Sequence, residues 1–165
     1  IKLCEAYRAQ YGCDFISAQP NNLYGPGDNF DLETSHVIPA LIAKTHRAKV
    51  DGAASAEVWG TGNPLREFLF VDDLADALVF LLKTYSAAGP VNIGTGAEIT
   101  IRELAGAVAR VVGFDGSFDF NTDKPDGAPR KLLDASRLKR LGWAGKTGLD
   151  DGLEATYDWY RSNVA

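Results

Sequence analysis

Apolar positions along this chain alternate between helical and strand spacing. Helical spacing predicts five main helices, over residues 1–11, 37–49, 73–83, 101–112 and a last one that carries Leu153, Tyr157 and Tyr160. Short apolar or alternating runs predict strands at residues 15–19, 58–59, 68–71, 91–94 and 117–120. The mixture of the two kinds of element along one chain favours an α/β architecture.

Helix ends are marked by residues that satisfy free backbone groups. Gly113 is placed to end one helix, whose start carries a capping box of Thr100 and Glu103. Thr147 with Asp150 repeats the pattern before the final helix. We therefore expect both helices to begin at a threonine cap.

The helix over residues 73–83 has leucines at i, i+4, i+7 and i+8. This spacing predicts an inward apolar face of Leu74, Leu78, Leu81 and Leu82. Three carboxylates lie near its start, at Asp72, Asp73 and Asp76. Capping and compensation of the helix dipole explain all three, so we assign them no chemistry.

Three stretches read as loops. Residues 21–29 are rich in Asn, Gly and Pro and follow the strand at 15–19, and residues 51–57 and 124–131 are also turn-like. In open α/β sheets, ligands bind where a strand ends in a loop. The loop after residue 20 is therefore the first candidate for ligand contact.

Composition limits the possible partners. The chain has 165 residues, 45% of them hydrophobic, and a formal net charge of −5. Nucleic-acid backbones are bound by surplus Lys and Arg, so this charge argues against DNA or RNA, and no apolar run is long enough to span a membrane. Cys4 and Cys13 have neither metal nor disulfide-framework spacing, which favours reduced thiols in the cytoplasm and no metal site.

The glycine-rich segments do not form a dinucleotide fingerprint. Neither residues 25–27 nor residues 94–96 has G-x-G-x-x-G spacing between a strand and a helix. No Walker loop or nucleophile elbow is present either. If the protein uses a dinucleotide cofactor, we expect its phosphate-binding turn to lie outside this chain.

Two histidines can titrate near neutral pH. His36 lies at a helix entrance beside the candidate ligand loop, where it could act as a general acid or base. A capping or surface histidine is the alternative, which position alone favours. His46 lies beside Lys44, Arg47 and Lys49, as expected for a solvated face.

Several cations lie near predicted loops or strand ends, and a diphosphate would need two or three of them to converge. They are Lys44, Arg66, Lys124, Arg130 and Lys131. Trp59, beside a glycine-rich turn, could stack on a base or a sugar ring, although strand aromatics are more often part of a core. Each cation has the same kind of alternative, a plain surface charge.

Five segments together resemble one family: Pro-Asn-Asn-Leu-Tyr-Gly-Pro at residues 20–26, Ser-His-Val-Ile-Pro-Ala-Leu at 35–41, Val-Trp-Gly at 58–60, Arg-Glu-Phe with Val-Asp-Asp at 66–73, and Lys-Pro-Asp-Gly-Ala-Pro-Arg-Lys at 124–131. The chain resembles the C-terminal half of the GDP-L-fucose synthases, which are extended short-chain dehydrogenase/reductases. The resemblance implies an α/β fold, the C-terminal part of a Rossmann-type protein. Residues 1–35 would be the tail of the NADP-binding domain, and residues 36–165 the GDP-sugar domain, with one or two segments returning to the Rossmann part.

The resemblance also implies an activity: epimerisation of GDP-4-keto-6-deoxy-D-mannose at C3 and C5, and reduction at C4 with NADPH, to give GDP-L-fucose. His36 would be catalytic, with the cofactor contacted by Pro20, Asn21, Asn22, Leu23 and His36. The GDP-sugar would be contacted by Lys44, Trp59, Arg66, Asp126 and Lys131. On this view His36 and Arg66 face one ligand, and the full-length protein is a cytoplasmic homodimer.

The same resemblance places the dinucleotide loop, a Ser, a Tyr-x-x-x-Lys pair and an epimerisation cysteine before Ile1. We therefore expect the 165-residue chain alone to be inactive. Two alternatives stay open. One is another NAD(P)-dependent nucleotide-sugar epimerase or dehydratase, and the other is a non-catalytic fragment that binds nucleotide sugars.

Overall fold

The computed structural model describes all residues from 1 to 165. Six helices are present: α1 (Lys2–Tyr11), α2 (Val37–Val50), α3 (Val71–Thr84), α4 (Ile101–Val112), α5 (Ser136–Arg140) and α6 (Leu149–Asn163). Nine short strands are present: β1 (Ser17–Pro20), β2 (Asn22–Tyr24), β3 (Ser55–Trp59), β4 (Leu65–Arg66), β5 (Phe68–Phe70), β6 (Pro90–Ile93), β7 (Ile99–Thr100), β8 (Ser117–Asn121) and β9 (Arg130–Lys131). The predicted α/β class is confirmed.

The chain divides into two compact units, and the first combines Ile1–Leu23, Glu67–Ala97 and Leu132–Lys146. Its parallel pair β1 and β6 is in register from Ser17 opposite Pro90. β2, which begins in this unit, pairs with β5. The core of this unit is apolar and consists of Leu69, Ala77, Leu81, Val91, Ile93, Leu138 and Trp143.

The second unit combines Tyr24–Arg66, Glu98–Lys131 and Thr147–Ala165. β3 and β8 form a parallel pair, and β4 lies between antiparallel β7 and parallel β9. Helix α4 packs against α2 and α6. The most deeply buried side chains here include Ile38, Ile42, Leu104, Val108 and Leu153.

The N-terminal segment of the first unit runs to Leu23, and the expected domain boundary after residue 35 stays a prediction. Two later segments, Glu67–Ala97 and Leu132–Lys146, belong to the same unit as the N-terminal segment. The identity of the two units as NADP-binding and substrate-binding parts stays a prediction. No helix of the chain is both long enough and apolar enough to cross a bilayer.

Helix caps agree with the sequence at α4 and differ at α6. The Thr100 hydroxyl accepts from the Glu103 N–H at 3.1 Å, and the Glu103 carboxylate accepts from the Thr100 N–H at 2.9 Å, so this capping box is confirmed. Helix α6 instead begins at Leu149 with Gly148 as its N-cap. The predicted cap at Thr147 is therefore one residue too early.

Three predicted loops contain strand residues. β2 lies within the expected loop 21–29, β3 begins at Ser55 within the expected loop 51–57, and β9 lies at the end of the expected loop 124–131. These strands are short, and their residues include Asn, Glu and Lys, which have low strand propensity. Pairing with strands distant in sequence, such as β3 with β8, determines them instead.

The inward face predicted for α3 is only partly correct. Leu81 is fully buried, whereas Leu78 is 39% and Leu82 is 76% exposed. The helix begins at Val71, and its buried residues are Asp73, Ala77 and Leu81. The buried stripe therefore runs through i, i+4 and i+8 from Asp73, not from Leu74.

Helix α1 has no buried residue. The centroids of its exposed rings Tyr7 and Tyr11 lie 5.4 Å apart, and the exposed ring of Phe15, which follows the helix, lies 5.8 Å from that of Tyr7. Leu3 is 70% exposed. This helix therefore presents an apolar surface to solvent.

Candidate functional site

A cavity of about 260 Å³ lies within the second unit. Four residues predicted from the sequence to contact substrate line it, namely Lys44, Trp59, Arg66 and Asp126. They come from α2, β3, β4 and the loop before β9. The fold thus brings residues as far apart in sequence as Lys44 and Asp126 to one cavity.

Arg66 is positioned by the central strand of the three-stranded sheet. Its Nη1 donates to the Leu65 carbonyl at 2.8 Å, and its Nη2 donates to the Asp126 carbonyl at 3.4 Å. Both partners are neutral carbonyls, and a guanidinium has five N–H donors. These two hydrogen bonds therefore pair the Arg66 guanidinium with no carboxylate and leave N–H donors available to an anionic ligand in the cavity.

Asp126 is attached to the turn after β3. Its two carboxylate oxygens accept from the Thr61 N–H at 2.7 Å and from the Thr61 hydroxyl at 2.8 Å. Gly60, at a φ of 83°, leaves the space for this approach, since a Cβ there would lie 2.3 Å from Asp126 Oδ1. The turn thus brings the exposed loop of Asp126 to the cavity wall.

Trp59 lies at the cavity with its side chain half exposed. The Lys44 ammonium is 4.8 Å from the ring centroid, and the Lys124 ammonium is 5.1 Å from it. Both are within cation–π range. The ring and its cations form a surface suited to a flat group that carries negative charge nearby.

Glu57 lines the same cavity and was not predicted. Its carboxylate accepts from the Asn121 amide at 2.7 Å and from the Trp59 indole N–H at 3.1 Å, and it lies 3.7 Å from the Lys44 ammonium. The Asn121 hydrogen bond, followed by that of Trp59, lowers the pKa of Glu57. The two-residue alternation of β3 puts Glu57 on the face of Trp59, a signal lost when this segment is read as a loop.

His36 is the N-cap of α2 and is exposed. Its neighbours Ser35 and Val37 line the cavity, whereas His36 itself does not. The Ser35 hydroxyl is buried and has no hydrogen-bond partner. Arg66 lines the cavity and His36 does not, so contact of both residues with one ligand stays a prediction.

Lys131 lies outside the cavity as well. It is exposed on β9, in register with Arg66. Its neighbour Arg130 is held by Glu98 through two hydrogen bonds of 2.6 and 2.7 Å. Of the predicted cations at the end of this loop, neither is a cavity residue.

The predicted cofactor segment, Pro20 to Leu23, belongs to the first unit. Pro20 is the last residue of parallel strand β1, and Asn21 to Leu23 follow its carboxyl end. The Asn21 N–H donates to the Ile93 carbonyl of β6 at 3.1 Å. Asn21 and Asn22 also contact Glu67, a fully buried residue that was not predicted as part of a site. The carboxyl end of a parallel strand is where open α/β sheets bind their ligands.

Residues 1–94 match the NAD dependent epimerase/dehydratase family, and the chain belongs to that family. It is 62% identical to GDP-L-fucose synthase 1 of Arabidopsis thaliana, over 99% of this chain and 51% of that protein. It thus spans about half the length of the curated relatives it matches.

Two solved structures are similar over 98% of this chain. A GDP-L-fucose synthetase from Naegleria fowleri bound to NADP is 30% identical, with 53% of its chain covered and a TM-score of 0.91. A GDP-6-OMe-4-keto-L-xylo-heptose reductase from C. jejuni is 36% identical, with 57% of its chain covered and a TM-score of 0.89. Both agree with the predicted Rossmann-type family.

Proposed function

We propose that this chain is the C-terminal half of an NADPH-dependent 3,5-epimerase-4-reductase that converts GDP-4-keto-6-deoxy-D-mannose to GDP-L-fucose. Relatives that match over 99–100% of this chain are named GDP-L-fucose synthase, and GDP-L-fucose synthase 1 of Arabidopsis thaliana is 62% identical. The complete protein is the product of the full coding sequence that contains this chain.

The observation that carries the proposal is the convergence of Lys44, Trp59, Arg66 and Asp126 on one cavity. A GDP-sugar offers an aromatic base for stacking, a diphosphate for a guanidinium and an ammonium, and hydroxyls for a carboxylate. The cavity's 260 Å³ is below the roughly 300–1,000 Å³ of whole small-molecule sites. It would therefore hold one part of the nucleotide sugar, with the rest lying across its mouth.

The cofactor segment fits the same proposal. Pro20 ends a parallel strand, Asn21 to Leu23 follow its carboxyl end, and the Asn21 N–H is hydrogen-bonded to Ile93 of β6. NADPH, when bound, would supply the hydride for C4. Pro20 to Leu23 would orient its nicotinamide end.

His36 would transfer protons to or from the carbons that flank the ketone. Such carbon acids are weak, and an imidazole is able to donate or accept a proton near neutral pH. Its place at the N-cap of α2, between cavity residues Ser35 and Val37, is compatible with contact to a ligand that extends beyond the cavity.

The test uses the complete protein, NADPH and the keto-sugar in D₂O. The proposal expects NADPH oxidation, formation of GDP-L-fucose and deuterium at C3 and C5. His36→Asn should lose deuterium incorporation while still binding GDP in calorimetry. A protein that oxidises no NADPH with this substrate would contradict the proposal.

A second reading is a GDP-keto-sugar reductase without epimerisation, favoured by the similarity to the heptose reductase. In that case the D₂O experiment gives a reduced sugar with no deuterium at C3 or C5, and His36→Asn has no effect on turnover. The 62% identity to a fucose synthase makes the first reading the stronger one.

The proposal extends to the isolated chain and to assembly. The 165-residue polypeptide should form no fucose nucleotide above background. Its calorimetric titration with GDP and with UDP separates a nucleotide-sugar module, which binds GDP, from a purely structural fragment, which binds neither. The complete protein should be a cytoplasmic homodimer, which light scattering and cell fractionation would test.

A further inference from the structure

Glu67 is a buried carboxylate that the proposed function does not use. Its residue exposure is 0%, and it lies in the first unit between β4 and β5. Burying a carboxylate costs free energy unless hydrogen bonds compensate for lost hydration. The hydrogen-bond partners of the Glu67 carboxylate therefore indicate which part of the structure it positions.

Each oxygen of this carboxylate accepts hydrogen bonds. Oε1 accepts from the Gly96 N–H at 2.6 Å and from the Thr95 hydroxyl at 3.4 Å. Oε2 accepts from the Leu133 N–H at 3.2 Å and from the Asn21 side-chain amide. The surroundings therefore require an acceptor at both positions.

Both asparagines of the predicted cofactor segment are attached to Glu67. Asn21 donates its Nδ2 to the carboxylate, which turns its Oδ1 to the Asn22 N–H at 2.8 Å. Asn22 donates its own Nδ2 to the Glu67 carbonyl at 2.8 Å. One residue thus fixes two successive side chains just past the end of β1.

The protein leaves space for this arrangement at Gly94. A Cβ at Gly94 would lie 2.5 Å from Glu67 Oε1 and 3.0 Å from the carboxyl carbon. Such an approach is too close for a real contact, so any larger residue at position 94 would displace the carboxylate.

We propose that Glu67 is a positioning residue whose buried carboxylate holds Asn21 and Asn22 so that residues 20–23 present a preformed surface to the nicotinamide cofactor. This inference rests on the proposed function in placing the cofactor at residues 20–23. It assigns Glu67 no contact with the reacting atoms.

The first test is Glu67→Gln in the complete protein. Glutamine has the same shape, but its amide must replace one oxygen, and either orientation then turns an NH₂ toward N–H donors. We expect the Kd for NADPH to rise about tenfold, the scale of one lost charged hydrogen bond. The Kd for GDP should not change, because the GDP residues are not partners of Glu67.

The second test reverses the polarity of the contact. Asn21→Asp alone puts two carboxylates together and should also weaken NADPH binding. In the double variant Glu67→Gln with Asn21→Asp, the new amide can donate to the new carboxylate, while the Leu133 N–H still lacks its acceptor, so the expected recovery is partial. The double variant should bind NADPH more tightly than the weaker single variant, as coupled residues do in a double-mutant cycle.

A third variant, Gly94→Ala, moves the carboxylate without changing its charge or Asn21. It should raise the Kd for NADPH like Glu67→Gln does, and it remains informative if Glu67→Gln does not fold. A purely structural role predicts a lower melting temperature and fewer active molecules, with an unchanged Kd for NADPH in those that remain.

The inference is overturned if folded Glu67→Gln or Gly94→Ala binds NADPH like the parent, or if the double variant shows no recovery. Binding is measured by fluorescence titration without sugar substrate. The result therefore stands even if the parent protein fails to convert the keto-sugar, which would reject the proposed activity alone.

Discussion

Both carboxylate oxygens of Asp126 accept hydrogen bonds from Thr61, one from its N–H at 2.7 Å and one from its hydroxyl at 2.8 Å. Thr61 lies in the turn between Trp59 of β3 and Arg66 of β4. The positions of three cavity side chains therefore depend on one turn. The stability of that turn can be tested with its glycine.

Gly60→Ala should destabilise the protein more than Gly27→Ala. Both glycines have a φ of 83°, but only Gly60 faces Asp126, with a built Cβ 2.3 Å from Oδ1, whereas nothing lies within 4 Å at Gly27. Left-handed strain should cost about 1–2 kcal/mol at either position. The additional loss of unfolding free energy in Gly60→Ala reports the clash with Asp126. Urea unfolding measures the free energy of unfolding of both variants.

Asp126→Ala supplies the control for that comparison. Added to Gly60→Ala, it should recover the excess cost, because the clashing oxygen is gone. Equal costs at the two glycines, or no recovery, would show that Asp126 does not approach Gly60 as described.

Arg66→Lys should weaken GDP binding by about tenfold, since an ammonium lacks the two-pronged geometry of a guanidinium toward phosphate. The matched control is Arg110→Lys, because Arg110 is exposed, outside the cavity, and paired with Asp150 at 3.4 Å. Calorimetry on the complete protein would measure both. Equal GDP affinities of Arg66→Lys and the parent protein would show that Arg66 does not bind the phosphates of GDP.

Lowering the pH through the range of His46 should destabilise the folded chain. His46 contacts Tyr157 through Nδ1 at 3.0 Å, and burial, followed by the charges of Lys49 and Arg161, lowers its pKa below 6.5. The unfolded chain therefore binds this proton more readily. The stabilisation is fully present above about pH 6.5 and is lost as the pH falls through the lower folded pKa.

Urea unfolding at about pH 7.5 and pH 5.5 would measure this loss. His46→Gln should have a smaller difference between the two values, because glutamine does not titrate. An identical pH dependence in the variant would assign the effect to other groups. Carboxylates of lowered pKa, such as Glu57, add their losses at more acidic pH.

Gly106→Ala should stabilise the protein by about 0.5–1 kcal/mol, the gain in helix propensity over glycine. Gly106 lies inside α4, and a Cβ there meets nothing within 4 Å. Ala109→Gly in the same helix is the reverse control and should cost a similar amount. Unchanged or lower stability of Gly106→Ala in thermal unfolding would mean that the space beside it is not open.

Local signals predicted the helices better than the strands. The capping box of Thr100 and Glu103 and the amphipathic pattern after it depend only on neighbours in sequence, and both were confirmed. β3 pairs with β8 from Ser55 opposite Ser117, a contact between distant residues that the composition of residues 51–57 does not encode. The same limit hid Glu57, whose face is defined only once β3 is known.

Motif resemblance, and not periodicity, pointed to four of the residues that line the cavity, namely Lys44, Trp59, Arg66 and Asp126. Lys44 and Arg66 look like ordinary surface charges in sequence, and only the fold brings them to one cavity. Glu67 was missed for the opposite reason. From sequence, a charged residue before an apolar run is expected to face solvent. The burial of Glu67 depends on hydrogen-bond donors at Asn21, Gly96 and Leu133, which are distant in sequence and meet only in the fold.

The Glu67 network has a consequence for amide hydrogen exchange. The N–H groups of Gly96 and Leu133 lie outside the strands and helices, where exchange with deuterated solvent is ordinarily fast. Because both donate to the same carboxylate, they should exchange slowly and at matching rates. In Gly94→Ala both N–H groups should exchange faster, by a similar factor. The two NMR signals would then report directly whether the Glu67 carboxylate occupies its buried position.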